Sequence, residues 1–227
     1  MPQQCLITGA TSGIGAAFAR AFAARGYDLL LTGRREEKLA EVASGIEKKW
    51  GVQVQTMVCE LSASRDVNRL LEALREQPAE VLVNNAGFGL GKAYHAEDED
   101  ALMAMLDVHV RVPMKLIHAL LPGMISARRG TIINVSSLAS FIPVPRSGTY
   151  NATKSFLNVF TESLHLEVRQ YGITVQALLP GFTRTDFHRN VGEKLPGQNG
   201  KGLVTWMSAD EVVNYSLAQL PRDKVIC

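Results

Sequence analysis

The 227 residues carry 24 basic and 22 acidic side chains, a net charge of +2, and 46% of them are hydrophobic. So balanced a charge excludes nucleic acid or an anionic membrane surface as the main partner and leaves a small molecule, while the apolar content suffices for a substantial core. Cys5, Cys59 and Cys227 stand far apart, with no Cys-x-x-Cys and no histidine cluster, which excludes a disulfide framework and structural zinc; no metal is expected. No apolar run reaches membrane-span length and the N-terminus has no signal-peptide pattern, so the expectation is a soluble, cytoplasmic protein with no membrane span.

In chain order, short apolar runs alternate with segments of helical period. Strands are predicted at Gln4 to Thr8, Asp28 to Thr32, Val52 to Val58, Val81 to Asn84, Gly130 to Val135 and Ile173 to Leu178. Helices are predicted near Ile14 to Arg25, Glu36 to Lys49, Arg65 to Glu76, Asp98 to Arg128 in two pieces, and Tyr150 to Tyr171. No linker marks a boundary, so residues 1–227 read as one domain. Continuous apolar strands suit a parallel sheet covered on both faces, a doubly wound α/β (Rossmann) fold whose ligands bind at the carboxyl ends of the strands.

Each of those ends carries polar or flexible residues. The first reads Thr8-Gly9-Ala10-Thr11-Ser12-Gly13-Ile14-Gly15, three glycines between a strand and a helix, suited to a pyrophosphate at a helix N-terminus. The second ends Gly33-Arg34-Arg35 where an acidic residue would hold a ribose 2′-hydroxyl; two guanidinium groups suit a 2′-phosphate instead, pointing to NADP in preference to NAD. After the third strand, Glu60, with Leu61 beside it, could accept from an adenine amino group, or Ser62 could cap the next helix. The fourth ends Asn84-Asn85-Ala86-Gly87, the fifth Asn134-Val135-Ser136-Ser137, and the sixth runs into Pro180-Gly181-Phe182-Thr183-Arg184-Thr185.

Tyr150 and Lys154 stand four residues apart at the start of a long helix, one turn apart on one face. An ammonium at ~4 Å in an effective dielectric of ~20 is worth roughly 4 kcal/mol before desolvation, enough to bring a phenol of pKa about 10 toward acid–base use near neutrality. An exposed surface pair is the bland alternative.

Together these motifs resemble the short-chain dehydrogenase/reductase family from Leu6 to about Asp186. Thr8-Gly9-x-x-x-Gly13-x-Gly15, Asn84-Asn85-Ala86-Gly87, Ser137, Tyr150-x-x-x-Lys154 and Pro180-Gly181 match in type, order and separation. The resemblance implies a sheet of about seven parallel strands with NAD(P) across its ends, and hydride transfer between nicotinamide and a carbonyl or alcohol carbon. It implies Tyr150 as general acid in reduction, Ser137 as hydrogen-bond donor to the substrate oxygen, and Lys154 as ribose ligand that lowers the tyrosine pKa. Asn85, Ala86 and Gly87 would line the cofactor, Thr185 would contact its nicotinamide end or phosphates, and Thr183 would lie beside it. It further implies a homodimer or homotetramer built on the long helices before and after Ser137.

Two departures stand out. The position usually filled by a water-holding asparagine is His109, an imidazole that could hold water and could also titrate near pH 6.5. Secondly, Lys224-Val225-Ile226-Cys227 reads as a seventh strand that stops at once, in a truncated or naturally short chain.

The substrate loop is expected between Arg184 and Met207. With the loops after Asn85 and Ser137 it supplies Phe88, Leu90, Phe141, Pro143, Val144, Phe187, Leu195, Val204, Trp206 and Met207, with glycines at 192, 197, 200 and 202 and Pro196. Such a pocket favours an apolar ketone or an acyl chain. The sequence therefore predicts an NADP(H)-dependent carbonyl reductase or alcohol dehydrogenase; the alternative is a catalytically silent NADPH sensor on the same fold.

Overall fold

A computed structural model describes residues 3–187 and 205–227. Six strands form one parallel sheet: β1 (Gln4–Ile7), β2 (Asp28–Gly33), β3 (Val54–Val58), β4 (Val81–Asn84), β5 (Gly130–Val135) and β6 (Ile173–Leu178). Their order is β3-β2-β1-β4-β5-β6, so the winding reverses between β1 and β4 and opens a crevice at the carboxyl ends there. The central strands β1, β2 and β4 are buried along their whole length, which is why their apolar runs do not alternate. At the edge, β3 exposes Gln55 and Thr56.

Helices cover both faces. The apolar α1 (Gly13–Ala23) packs with α7 (Ala209–Gln219) over one face, where Phe18 and Phe22 join Ile7, Leu31 and Val83. On the other face α3 (Ser64–Glu76), α5 (Val112–Ala127) and α6 (Gly148–Val168) bring Leu70, Leu116 and Leu164 against Leu6, Leu82 and Ile132. The remaining helix of the βα series, α2 (Glu36–Trp50), ends at Gly51, whose φ of 69° supplies the left-handed turn that an L side chain rarely adopts.

Three expectations are refined. The helix expected in two pieces is α4 (Glu99–Leu106) running through a π-helical turn, Asp107–Arg111, into α5. Ser62 does not cap α3, because the N-cap is Ala63 and makes no side-chain bond. The seventh strand, expected to stop at once, is a single parallel bridge on the β6 edge, Ala177 with Ile226. A left-handed turn at Asp223 (φ 52°) brings Val225 to Cys227 alongside the β6 edge. These residues contribute backbone bonds from Cys227 N–H to the Ala177 carbonyl (3.0 Å) and from Ala177 N–H to the Val225 carbonyl (2.7 Å).

Beside the main sheet, β7 (Thr183–Arg184) and β8 (Met207–Ser208) pair in parallel, and Ser208 caps α7 with Glu211 in a reciprocal capping box. Among the described residues no helix is long and apolar enough to cross a membrane, and no group of three or more metal-ligating side chains occurs.

Candidate active site

A cavity of about 470 Å³ follows the carboxyl ends of the strands from β3 across β1 and β4 to β5 and α6. Of the catalytic and cofactor-binding residues expected from sequence, all but Gly15 and His109 line it.

Backbone proximity shapes the β1 end. A Cβ at Gly9 would lie 2.8 Å from Ala86 Cα, and one at Gly15 would collide with the Gly9 carbonyl oxygen, so both positions admit only hydrogen. Gly13, at φ 56°, lies under the Thr185 methyl. Ser12 is the N-cap of α1 yet makes no side-chain capping bond, and the first turn holds no acidic residue. These are the conditions under which a helix N-terminus takes an anion.

At the end of β2, Arg35 Nη2 donates to Thr11 Oγ1 and Ser12 Oγ, both at 2.8 Å, and Nη1 lies 3.5 Å from Asp186. Arg34 Nη1 faces Glu60 Oε2 at 3.4 Å. The Glu60 carboxylate is already engaged, since its Oε1 accepts from Ser62 N–H (3.2 Å) and O–H (3.0 Å). It orders the turn after β3 and pairs with Arg34 at the rim of the cavity.

Thr8 is a contributor that spacing alone did not single out. Its Oγ1 accepts from Asn85 N–H (3.0 Å) and Ala86 N–H (3.1 Å), while Asn85 Nδ2 donates back to the carbonyls of Thr8 (2.9 Å) and Gly9 (3.0 Å). Asn85 thus staples the glycine turn to the end of β4. The signal available was the threonine just before the first glycine.

On the β5 and α6 side, Lys154 is buried and its Nζ donates to the Val135 carbonyl at 2.8 Å; burial lowers its pKa from 10.5 to about 8. Ser136 Oγ donates to the Lys154 carbonyl (3.0 Å), so the two adjacent serines divide the work, one bracing the helix and Ser137 hydrogen-bonding Tyr150. The tyrosine departs from expectation. Desolvation raises the Tyr150 pKa, the bond with Ser137 opposes this, and Lys154, 5.7 Å from the ring centroid, does not govern it. Burial outweighs the charge here because the ammonium is directed at Val135.

His109 sits behind Gly87 and is buried, with Nε2 accepting from Phe88 N–H (3.0 Å) and Nδ1 bonded to Thr153 Oγ1 (2.9 Å). Desolvation first, and Lys154 second, hold its pKa well below 6.5. The expected titration near neutrality is thereby corrected: both ring nitrogens have protein partners, and a second cation beside Lys154 is disfavoured.

A smaller cavity, about 220 Å³, meets the first at Tyr150 and is lined by Leu90, Leu102, Met105 and Val144 among others. Phe187 lies against Tyr150 at 5.8 Å between centroids, Phe88 lines the main cavity, and Trp206 packs on Phe182 at 5.2 Å. Phe141 and Met207 are exposed, and neither they nor Pro143 lines either cavity. Gly192, Leu195, Pro196, Gly197, Gly200, Gly202 and Val204 lie outside the described residues.

A glycine-rich turn at the reversal point of a doubly wound sheet defines a dinucleotide-binding class of protein. Within that class, the chain belongs to the short chain dehydrogenase family, which it matches over residues 3–196. A short-chain dehydrogenase from Sphingobium yanoikuyae, solved in complex with NADPH, superposes with a TM-score of 0.91 at 31% identity, covering 100% of this chain and 86% of that one. Sulfoacetaldehyde reductase 2 of Chromohalobacter salexigens is 38% identical over 187 residues, 80% of this chain and 73% of that protein. The inactive hydroxysteroid dehydrogenase-like protein 1 of Homo sapiens is 33% identical over 183 residues, and the match spans only 56% of its length.

Proposed function

We propose that this chain, a single catalytic domain, is an NADP(H)-dependent reductase of an apolar or acyl-type ketone, interconverting it with the secondary alcohol. The observation that carries this reading is the shared cavity: Ser137, Tyr150 and Lys154 stand at one end and Thr11, Ser12, Arg34 and Arg35 at the other. NADPH, when bound, supplies the hydride.

The residues present suit that cofactor. The glycine turn, closed to any Cβ, takes the pyrophosphate, and Arg35 with its two hydroxyl partners takes the 2′-phosphate, for which a guanidinium fork is well shaped. Leu61 would line the adenine side and Ile14 the pyrophosphate side, Asn85, Ala86 and Gly87, with Pro180, Gly181, Thr183 and Thr185, would line the nicotinamide side, and Lys154 would hold the ribose.

As negative charge grows on the carbonyl oxygen, Ser137 and Tyr150 are the donors aimed at it, and Tyr150 delivers the proton. A phenol whose pKa burial raises stays protonated, the form that a general acid in reduction needs. The apolar walls of the second cavity, Leu90, Leu102, Met105 and Val144, support an apolar body on the substrate. Exposed Met114 on α5 and Phe156, Val159 and Leu166 on α6 support a subunit interface on these helices, as a homodimer or homotetramer.

The test follows NADPH absorbance with a panel of ketones graded in chain length and ring size. Turnover that Tyr150→Phe abolishes is the expected result. NADPH binding without turnover across the panel would overturn the reductase reading and leave a nucleotide sensor.

A further inference from the structure

The geometry points to the His109 side chain as a positioning group that ties the loop after β4 to the first turn of α6, and not as an imidazole that holds a relay water; the catalytic part of this inference rests on the reductase reading above. The direction of each hydrogen bond is fixed by chemistry. A backbone N–H can only donate, so His109 Nε2, 3.0 Å from Phe88 N, must offer its lone pair. The ring proton of the neutral imidazole is then on Nδ1, donating to Thr153 Oγ1 at 2.9 Å. That hydroxyl in turn donates to the Tyr150 carbonyl at 2.7 Å. The result is one chain of bonds from Phe88 N–H through the imidazole and Thr153 to the backbone of Tyr150.

Packing encloses the ring on every side that the bonds leave. Phe88 and Tyr150 both meet it edge to face, with centroids 5.7 and 5.6 Å away. A Cβ on Gly87 would lie 2.9 Å from Nε2. His109 itself is 1% exposed. With both nitrogens used and no exposed face, the side chain has no free polar atom with which to hold a water. The π-helical turn Asp107–Arg111 is what brings this residue inward, while Asp107 and Arg111 pair with each other at 2.8 Å on the half-exposed side. The ionisable groups facing the ring are Lys154 and Tyr150, both from α6; Phe88 and Gly87, from the loop after β4, and Thr153 carry no charge. Proton resupply to Tyr150 then falls to its cavity face, where Ser137 and Lys154 stand.

Nitrogen NMR of the imidazole in the full chain, with NADPH, decides the clamp directly. The expected spectrum is a neutral Nδ1–H tautomer that shows no titration from about one unit below to two units above an ordinary histidine value near 6.5. A titration step near 6.5, or an Nε2–H tautomer, overturns it.

Kinetics then separate positioning from relay. A glutamine amide can still accept from Phe88 N–H but has no Nδ1, and an asparagine reaches Thr153 but not Phe88. His109→Gln, His109→Asn and Thr153→Val should each lower kcat about tenfold, as befits a buried bond left unmade. Their pH profiles and solvent isotope effects should keep the wild-type form. The double variant His109→Gln/Thr153→Val should be little worse than either single one, because both break the same chain. Additive losses, or a changed isotope effect in His109→Gln, would overturn the positioning role. If the wild type reduces no ketone in the panel, the reductase reading fails, while the nitrogen spectrum still decides the clamp.

Discussion

The two ends of the cavity are built by opposite means. At the β1 to β3 end the surface is mostly backbone, with the glycine turn below and the side chains of Arg34 and Arg35 left 65% and 45% exposed above. At the α6 end His109, Thr153 and Lys154 are buried, and each has a directed partner. The first end gains partners when an anion arrives; the second has its bonds made beforehand, as preorganised stabilisation requires. Affinity should therefore be adjustable in small steps at one end, whereas changes at the other should strike the chemistry.

The largest effect expected is that of Tyr150→Phe, a loss of about 10²–10⁴-fold in kcat, with NADPH affinity retained in a fluorescence titration. Loss of binding would show that the two ends are not separable. Next comes the buried ammonium. Below about pH 8 the folded protein carries it against its desolvation; between about 8 and the ordinary value of 10.5 the unfolded chain binds more protons than the folded one. Stability should therefore rise with pH through that window, by on the order of 3 kcal/mol relative to Lys154→Met, as read from urea unfolding at its two ends. A flat difference would mean that the ammonium is better solvated than its burial suggests.

At the other end, Gly15→Ala forces a methyl onto the Gly9 carbonyl and should lower stability by about 1–3 kcal/mol while weakening NADPH binding. Thermal unfolding with and without NADPH measures both. Smallest is Arg35→Ser, expected to weaken NADPH about tenfold and leave NADH nearly unchanged, since the charge-assisted contact to a 2′-phosphate is one that NADH lacks. An equal loss for both nucleotides would assign Arg35 to the turn through Thr11 and Ser12 instead.

The same contrast governs what the sequence could reveal. The glycine turn, the Arg34-Arg35 pair and Tyr150 with Lys154 are local patterns, and residues that near in sequence are constrained by backbone geometry alone. The strands are recoverable because short apolar runs such as Cys5 to Ile7, Leu29 to Leu31 and Val81 to Val83 mark the buried ones, and even β3 keeps two valines. Long-range partners were not recoverable. Phe88 and Thr153 lie 21 and 44 positions from His109, so nothing near it announced that both nitrogens would be taken. The tyrosine pKa went the other way for a related reason: spacing places Lys154 one turn from Tyr150 but cannot say that Val135 captures its ammonium. Glu60 was likewise claimed by neighbours, Ser62 and Arg34, that only the folded turn brings to it.

The short parallel pairing of Thr183–Arg184 with Met207–Ser208 has an engineering consequence. It sets Arg184 beside Ser208, the capped start of α7, so the described residues on either side of the intervening segment meet at one place. A segment whose two ends are held this close can be exchanged: each doubling of a connection's length adds only about 0.6 kcal/mol of closure entropy. Transplanting this segment from a relative therefore leaves the sheet and the dinucleotide turn intact, and a shift in ketone preference in the transplant would assign it to substrate selection.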